Sequence, residues 1–184
     1  MVFFLAGVHG VGKTSICSAL ADTLKIPSMS ASQLIKLQSE LEAWTSDKKT
    51  KEIPSNQQKL LSAIRACKKN NAVFLLDGHF ALLDHSGSIT PIEHNVFFEM
   101  GLSAVILIED EPCAISQRLE NRDKVQWDKA LIANLQEAER EGALSFCRKA
   151  GIPLLIAEQS DFDSIHDFVN ENMAKYRDKN LSRD

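Results

Sequence analysis

The chain has 184 residues, 44% of them apolar, and a net charge of 21 − 25 = −4. That length and composition suit one globular domain over residues 1–184 with a sizeable core. The acidic balance counts against direct nucleic-acid binding, which needs a basic face, and no apolar run approaches the ~20 residues of a membrane span.

Val2 to Ala6 is a continuous apolar run stopped by Gly7, the pattern of a strand buried on both faces rather than of a signal peptide. A helix over Lys13–Leu24 follows, with Ile16, Ala19, Leu20, Thr23 and Leu24 on one side, and Pro27 ends it. Residues 27–32 form a short extended piece, in which Ser30 or Ser32 caps a helix over Gln33–Trp44. Thr45–Asn56 is the most polar stretch and is predicted to be a mobile surface loop. A third helix covers Ser55–Lys69, with Leu60, Leu61, Ile64 and Cys67 at apolar spacing. Ala72–Gly78 is a second buried strand, Leu82–Pro91 a loop and Ile92–Met100 a short helix. Ala104–Asp110 is a third buried strand, followed by a helix over Glu111–Asn121 with Pro112 in its first turn.

The longest predicted helix is Trp127–Ala150, with Trp127, Leu131, Leu135, Ala138, Gly142 and Phe146 on its apolar stripe. Gly151 stops it, and Ile152–Glu158 is the last strand. Ser160 and Asp163 have the spacing of a capping box for a final helix that points Phe162, Ile165, Val169, Met173 and Tyr176 inward; 177–184 is expected to fray. The cysteines Cys17, Cys67, Cys113 and Cys147 are widely spaced, which fits reduced thiols in a cytoplasmic protein better than a disulfide framework or zinc site. Buried strands alternating with helices give an α/β fold with a parallel sheet covered on both faces. Ligands of such sheets bind at the carboxyl ends of the strands.

The first strand leads into "GVHGVGKT", which fits G-x-x-x-x-G-K-[ST] at every fixed position. Gly7, Gly10 and Gly12 let the backbone turn and approach oxygen atoms closely. Amides from Gly10, through Val11, Gly12 and Lys13 to Thr14, then point into a concavity that suits phosphate, with Ser15 beside them. The helix opening at Lys13 adds its positive dipole end. Lys13 reaches the β- and γ-phosphates, and the Thr14 hydroxyl can ligate Mg²⁺. His9 occupies a free position and is expected to be a solvated loop residue.

Asp77 ends the second buried strand, where a carboxylate can hold Mg²⁺ or simply make a turn with Gly78. His79, two residues on, can hold a water or a transferring group, or hydrogen-bond the loop. Arg118 and Arg122 are four apart and share a helix face. They can neutralise a moving phosphoryl group, or form a solvated face with Glu120 and Asp123 as partners.

The phosphate loop, "DGH" at Asp77–His79 and "RLENR" at Arg118–Arg122 together resemble the small nucleoside monophosphate kinases. The similarity is greatest to the archaeal-type and small nuclear adenylate kinases, extending to Leu131–Gln136 and Asp84–Pro91. The resemblance implies a P-loop NTPase three-layer sandwich with a five-stranded parallel sheet, an acceptor-helix insertion at about 30–70 and a short lid at about 118–127. It implies ATP held by Gly10, Gly12, Lys13 and Thr14, with lid arginines Arg118 and Arg122 on the phosphates. It further implies Asp77 and His79 beside the transferred group, and Ala157 and Gln159 flanking adenine. Ser32, Gln57, Lys59 and Arg65 are the acceptor-side candidates; Arg65 is the single arginine of that region. Ala31 and Ser32 stand where the family often has Gly-Asp, and Asp123 where a small residue is usual.

Three functions are compatible with these residues. The first is transfer of the ATP γ-phosphoryl group to a nucleoside monophosphate with Mg²⁺. The second is an ATP-dependent switch or regulatory subunit acting on a protein partner. The third is a kinase for another small metabolite.

Overall fold

The structure is a computed structural model that describes residues 1–45, 54–71, 73–84, 86–124 and 126–181. β1 (Val2–Ala6) is buried at every residue, because it has strands on both sides and helices on both faces. It pairs in parallel with β3 (Phe74–Asp77) and with β6 (Ala104–Glu109). β2 (Ser28–Ser30) adds outside β3, and β7 (Leu154–Glu158) outside β6. The sheet is the expected five-stranded parallel one, in the order β2-β3-β1-β6-β7.

Side chains alternate across this sheet, so two core layers form. Phe3 and Leu5 pack with Ile16 and Leu20 of α1 (Lys13–Leu24), Ile115 and Leu119 of α5 (Pro112–Asp123) and Ile165 and Val169 of α7 (Phe162–Leu181). Val2, Phe4 and Ala6 face the other layer. That layer takes Leu34 of α2 (Ala31–Thr45), Leu60 and Ile64 of α3 (Pro54–Asn70), Phe97 of α4 (His94–Met100) and Phe146 of α6 (Lys129–Ala150). Each large apolar side chain buried this way contributes about 1.5–3 kcal/mol.

The topology places the site. β1 connects through α1 to β2 on one side of the sheet, whereas the chain after β3 goes on to β6 on the other side. Connections part at the carboxyl ends of β1 and β3, which opens a crevice there. Asp77 sits level with Leu5 and with Ser30, and the Gly78 amide donates to Leu5 O at 3.0 Å.

Five expectations need correction. Leu82–Pro91 is not a plain loop: β4 (Ala81–Leu83) and β5 (Ile89–Pro91) form an antiparallel hairpin. Its turn is held by the Asp84 carboxylate, which accepts from the Ser86 and Ser88 amides at 2.8 and 2.9 Å. The buried stripe of α6 is Ile132, Leu135, Glu139, Ala143, Phe146 and Cys147, so Leu131, Ala138 and Gly142 lie to its side. Residue 161, not 160, precedes α7; the Asp161 carboxylate accepts from the Glu158 amide at 3.0 Å. α7 runs to Leu181, so 177–181 are helical rather than frayed, and Tyr176 is 42% exposed. Residues 46–53 of the polar stretch, and 182–184, lie outside the described residues. Among the described residues no helix is long and apolar enough to cross a membrane.

Candidate active site

The turn between β1 and α1 needs its glycines. Gly10 has φ +79° and Gly12 has φ +107°, a region that side-chain-bearing residues rarely adopt. A Cβ on Gly10 would also stand 2.7 Å from Leu119 Cγ, and one on Gly12 2.5 Å from Gln159 Cδ. Leu119 of α5 and Gln159, just past β7, therefore lean on the loop from two sides. A Cβ on Gly7 would run into Ile108 O of the neighbouring strand. Val11 is fully buried and its amide donates to Val8 O at 3.4 Å, so it supports the loop from below. The Ser15 amide donates to Gly12 O at 3.1 Å, and its side chain lines the cleft. The Lys13 and Thr14 amides open α1, where no carbonyl a turn back can take them.

Lys13 is only 6% exposed. Its ammonium donates to Gly7 O at 2.6 Å and Val8 O at 3.1 Å, and stands 3.8 Å from Asp77 Oδ1. Burial pulls its pKa down, with Asp77 opposing. Burial likewise pushes the Asp77 carboxyl up, against the pull of Lys13. The Thr14 hydroxyl donates to Asp77 Oδ2 at 3.4 Å. A hydroxyl and an incompletely compensated carboxylate side by side are a hard-oxygen pair. They fit Mg²⁺, which takes one or two protein oxygens and completes its shell with phosphate and water. Among the described residues no cluster of three or more His, Cys, Asp or Glu forms a larger cage.

His79 lies beyond the end of β3, and its Nδ1 is 2.9 Å from Glu139 Oε1. The other oxygen, Oε2, accepts the Phe80 amide at 2.8 Å. Glu139 is 1% exposed, and no motif in the sequence singles it out. It was discoverable from its spacing: it stands four residues from both Leu135 and Ala143. His9 is a solvated loop residue, as expected, and it lies at the cleft. Its ring centroid is 4.3 Å from that of His79. Enclosure by the cleft, with His79, Lys13 and Arg122 nearby, holds the His9 pKa down at about 4.

Arg118 and Arg122 both line the cleft. Arg118 donates through Nη1 to Gly10 O at 3.3 Å and through Nη2 to Asp110, a partner that sequence reasoning missed. Arg122 grips Asp123 with two bonds, Nε to Oδ1 at 2.7 Å and Nη2 to Oδ2 at 2.6 Å. The arginine therefore faces the cleft and pairs with its carboxylate neighbour at once.

These groups line one cavity of about 890 Å³. It runs from the phosphate loop past Asp77 and His79 to a far wall made by α2, α3, the hairpin and α4. Ser32 and Gln57 are on that wall, with Ser30 and Asn56. Lys59 and Arg65 are not. α3 turns Leu60, Leu61 and Ile64 inward, which carries Arg65 outward to Glu99 Oε2 at 3.6 Å. Ala157 is also displaced from its expected place: its side chain is buried in the core with Ile165, and Gln159 alone of the pair reaches the loop.

A parallel sheet with a glycine-rich phosphate loop after β1, a carboxylate ending β3 and arginines on α5 defines a P-loop protein of kinase-like fold. The chain belongs to the AAA domain family, whose model matches residues 6–136. Its fold is shared over nearly the whole length with three solved structures. A gluconokinase from Sinorhizobium meliloti 1021 is 13% identical, with a TM-score of 0.53 over 99% of this chain and 96% of that one. A shikimate kinase from Bacteroides thetaiotaomicron is 15% identical, with 0.55 over 95% and 98%. The YorR protein from Bacillus subtilis, solved in complex with phosphorylated GDP, is 16% identical, with 0.61 over 96% and 98%. At these identities the likeness is one of fold. No curated protein matches the chain by sequence.

Proposed function

We propose that the protein transfers the γ-phosphoryl group of ATP to a small-molecule acceptor. The observation that carries this reading is that one cleft joins the phosphate loop to a wall built separately by α2, α3, the hairpin and α4. A nucleotide switch needs only the loop half. The names of the structural neighbours, a gluconokinase and a shikimate kinase, belong with a small-molecule kinase, and the YorR complex with a nucleotide acceptor.

In this reading Gly10, Gly12, Lys13, Thr14 and Ser15 hold the β- and γ-phosphates, and Gln159 flanks the nucleotide. Thr14 and Asp77 would hold Mg²⁺, which when bound neutralises charge between the phosphate oxygens. Arg118 and Arg122, which line the cleft beside the loop, offset charge on the moving group. An acceptor oxygen bonds to the γ-phosphorus as the bond to the β,γ-bridging oxygen breaks, and ADP leaves with the electron pair. His79, tied to Glu139, stands beside that path. The protein supplies position and charge.

Two acceptor classes compete: a nucleoside monophosphate, as the sequence resemblance implies, and another small metabolite. ADP release from ATP, measured with nucleoside monophosphates and a metabolite panel, tests the proposal. Acceptor-dependent ADP release that Lys13→Met abolishes supports it. ATP binding without acceptor-dependent turnover contradicts it.

A further inference from the structure

We infer that the acceptor is an uncharged molecule carrying a hydroxyl on an aromatic or aliphatic body, rather than a monophosphate or carboxylate. This rests on the phosphotransferase reading of the same cleft.

The position of the cations is the first observation. Lys13, Arg118 and Arg122 line the cleft, and all three belong to the donor end. Lys13 is bonded to Gly7 and Val8 carbonyls, Arg118 to the Gly10 carbonyl, and Arg122 is one helical turn from Arg118. Among the described residues that α2, α3, the hairpin and α4 bring to the far wall, none is charged. Two cations of α3 are directed elsewhere: Arg65 to Glu99, and Lys68, whose Nζ donates to Gly101 O at 3.3 Å. These contacts join α3 to α4, and among the described residues they leave no charge on the wall between them.

The make-up of that wall is the second observation. Phe4, Ile35, Leu60, Leu82, Phe97 and Met100 supply most of it. The floor is fixed by ring packing, with the Phe4 centroid 5.7 Å from that of Phe97 and 5.4 Å from that of Phe80. Leu82 is 43% exposed although it is part of the cleft, so a ligand body there would remove apolar surface from water. The polar groups at this end are Ser30, Ser32, Asn56 and Gln57, hydroxyl and amide groups that both donate and accept. Such groups recognise a hydroxyl. An anion placed there would lose its hydration without gaining a counter-charge, so the wall selects against it.

The reaction balances for an alcohol. Its oxygen bonds to the γ-phosphorus, the bond to the bridging oxygen breaks, and ADP leaves with that electron pair. The hydroxyl proton is released to water at the cleft mouth, and the products are ADP and a phosphate monoester.

Matched acceptor pairs test the inference on the full chain with ATP and Mg²⁺. Nucleosides are set against their 5′-monophosphates, and aryl and alkyl alcohols against the same alcohols bearing a carboxylate. ADP release gives kcat/KM, and mass spectrometry detects the monoester. The uncharged member is expected to be the better substrate, by roughly tenfold or more. Preference for the anionic member overturns the inference while leaving phosphotransfer intact. ATP binding with no turnover of any acceptor overturns both. Gln57→Arg, at an exposed position, is expected to shift the ratio toward the anionic member; an unmoved ratio would contradict the assignment of this wall to the acceptor.

Discussion

Glu139 Oε1 lies 2.9 Å from His79 Nδ1, and Oε2 of the same carboxylate accepts the Phe80 amide at 2.8 Å. A residue of the longest helix thus fixes both an imidazole and the backbone just past β3. Where the carboxylate oxygen accepts in this contact, the hydrogen lies on Nδ1 and Nε2 is left for other partners.

Removing this carboxylate leaves the buried Phe80 amide without its acceptor. Glu139→Ala is expected to lose about 1–3 kcal/mol of stability in urea unfolding. Glu139→Gln keeps an acceptor for Phe80 and is expected to lose less, yet to lower kcat more than it raises KM for ATP. Equal stability of the two variants would contradict this account of the pair.

Lys13→Met removes a cation held 2.6 Å from Gly7 O at the base of the loop. Turnover is expected to fall by at least ~10²-fold, the scale of losing one preorganised charge at a transferring group. Isothermal titration with ATP reports the binding part separately.

Gly12→Val puts a branched side chain at φ +107° and into Gln159. The strain is expected to cost about 1–3 kcal/mol unless the loop rearranges. In either case ATP affinity falls, whereas Gln159→Ala alone leaves the fold intact by circular dichroism.

The loop and Asp77 were legible because the chemistry is local: a fixed glycine spacing after a buried run, and a carboxylate at a strand end. The sheet was legible because strands buried on both faces read as unbroken apolar runs. Glu139 was passed over because a charged residue is not counted toward an apolar stripe, although it stands four residues from both Leu135 and Ala143. The hairpin was missed because its strands have three residues each and gain their order from the Asp84 turn. Arg65 had the right chemistry on the wrong face of α3, and only packing shows which face that is.

His9 gives a pH dependence with a definite sign. Its pKa is about 4 in the folded protein against 6.5 ordinarily. Across that window the unfolded chain binds a proton that the folded one does not, so stability falls as pH drops from about 6.5 to about 4. Asp77, raised by burial, contributes with the opposite sign, and Lys13, His79, Arg122 and Asp123 also face the ring. Comparison with His9→Asn isolates the histidine: urea midpoints of the variant are expected to decline less over this range. Parallel declines would contradict the assignment.

Arg122 pairs with Asp123 and also faces the cleft. Arg122→Ala is expected to lower kcat roughly 10- to 100-fold while changing ATP affinity little, because its contact strengthens when charge develops. Equal losses in kcat and affinity would mark Arg122 as a ground-state binding residue.

In the proposed reaction the γ-phosphoryl group leaves ATP for a small molecule held in the same cleft. ATP labelled in its γ-phosphate, incubated with the protein, Mg²⁺ and the acceptor pairs above, shows this directly. Label is expected in an organic phosphate ester, and is expected to be absent with Lys13→Met. Label found only as inorganic phosphate, with every acceptor tried, would contradict the proposed reaction.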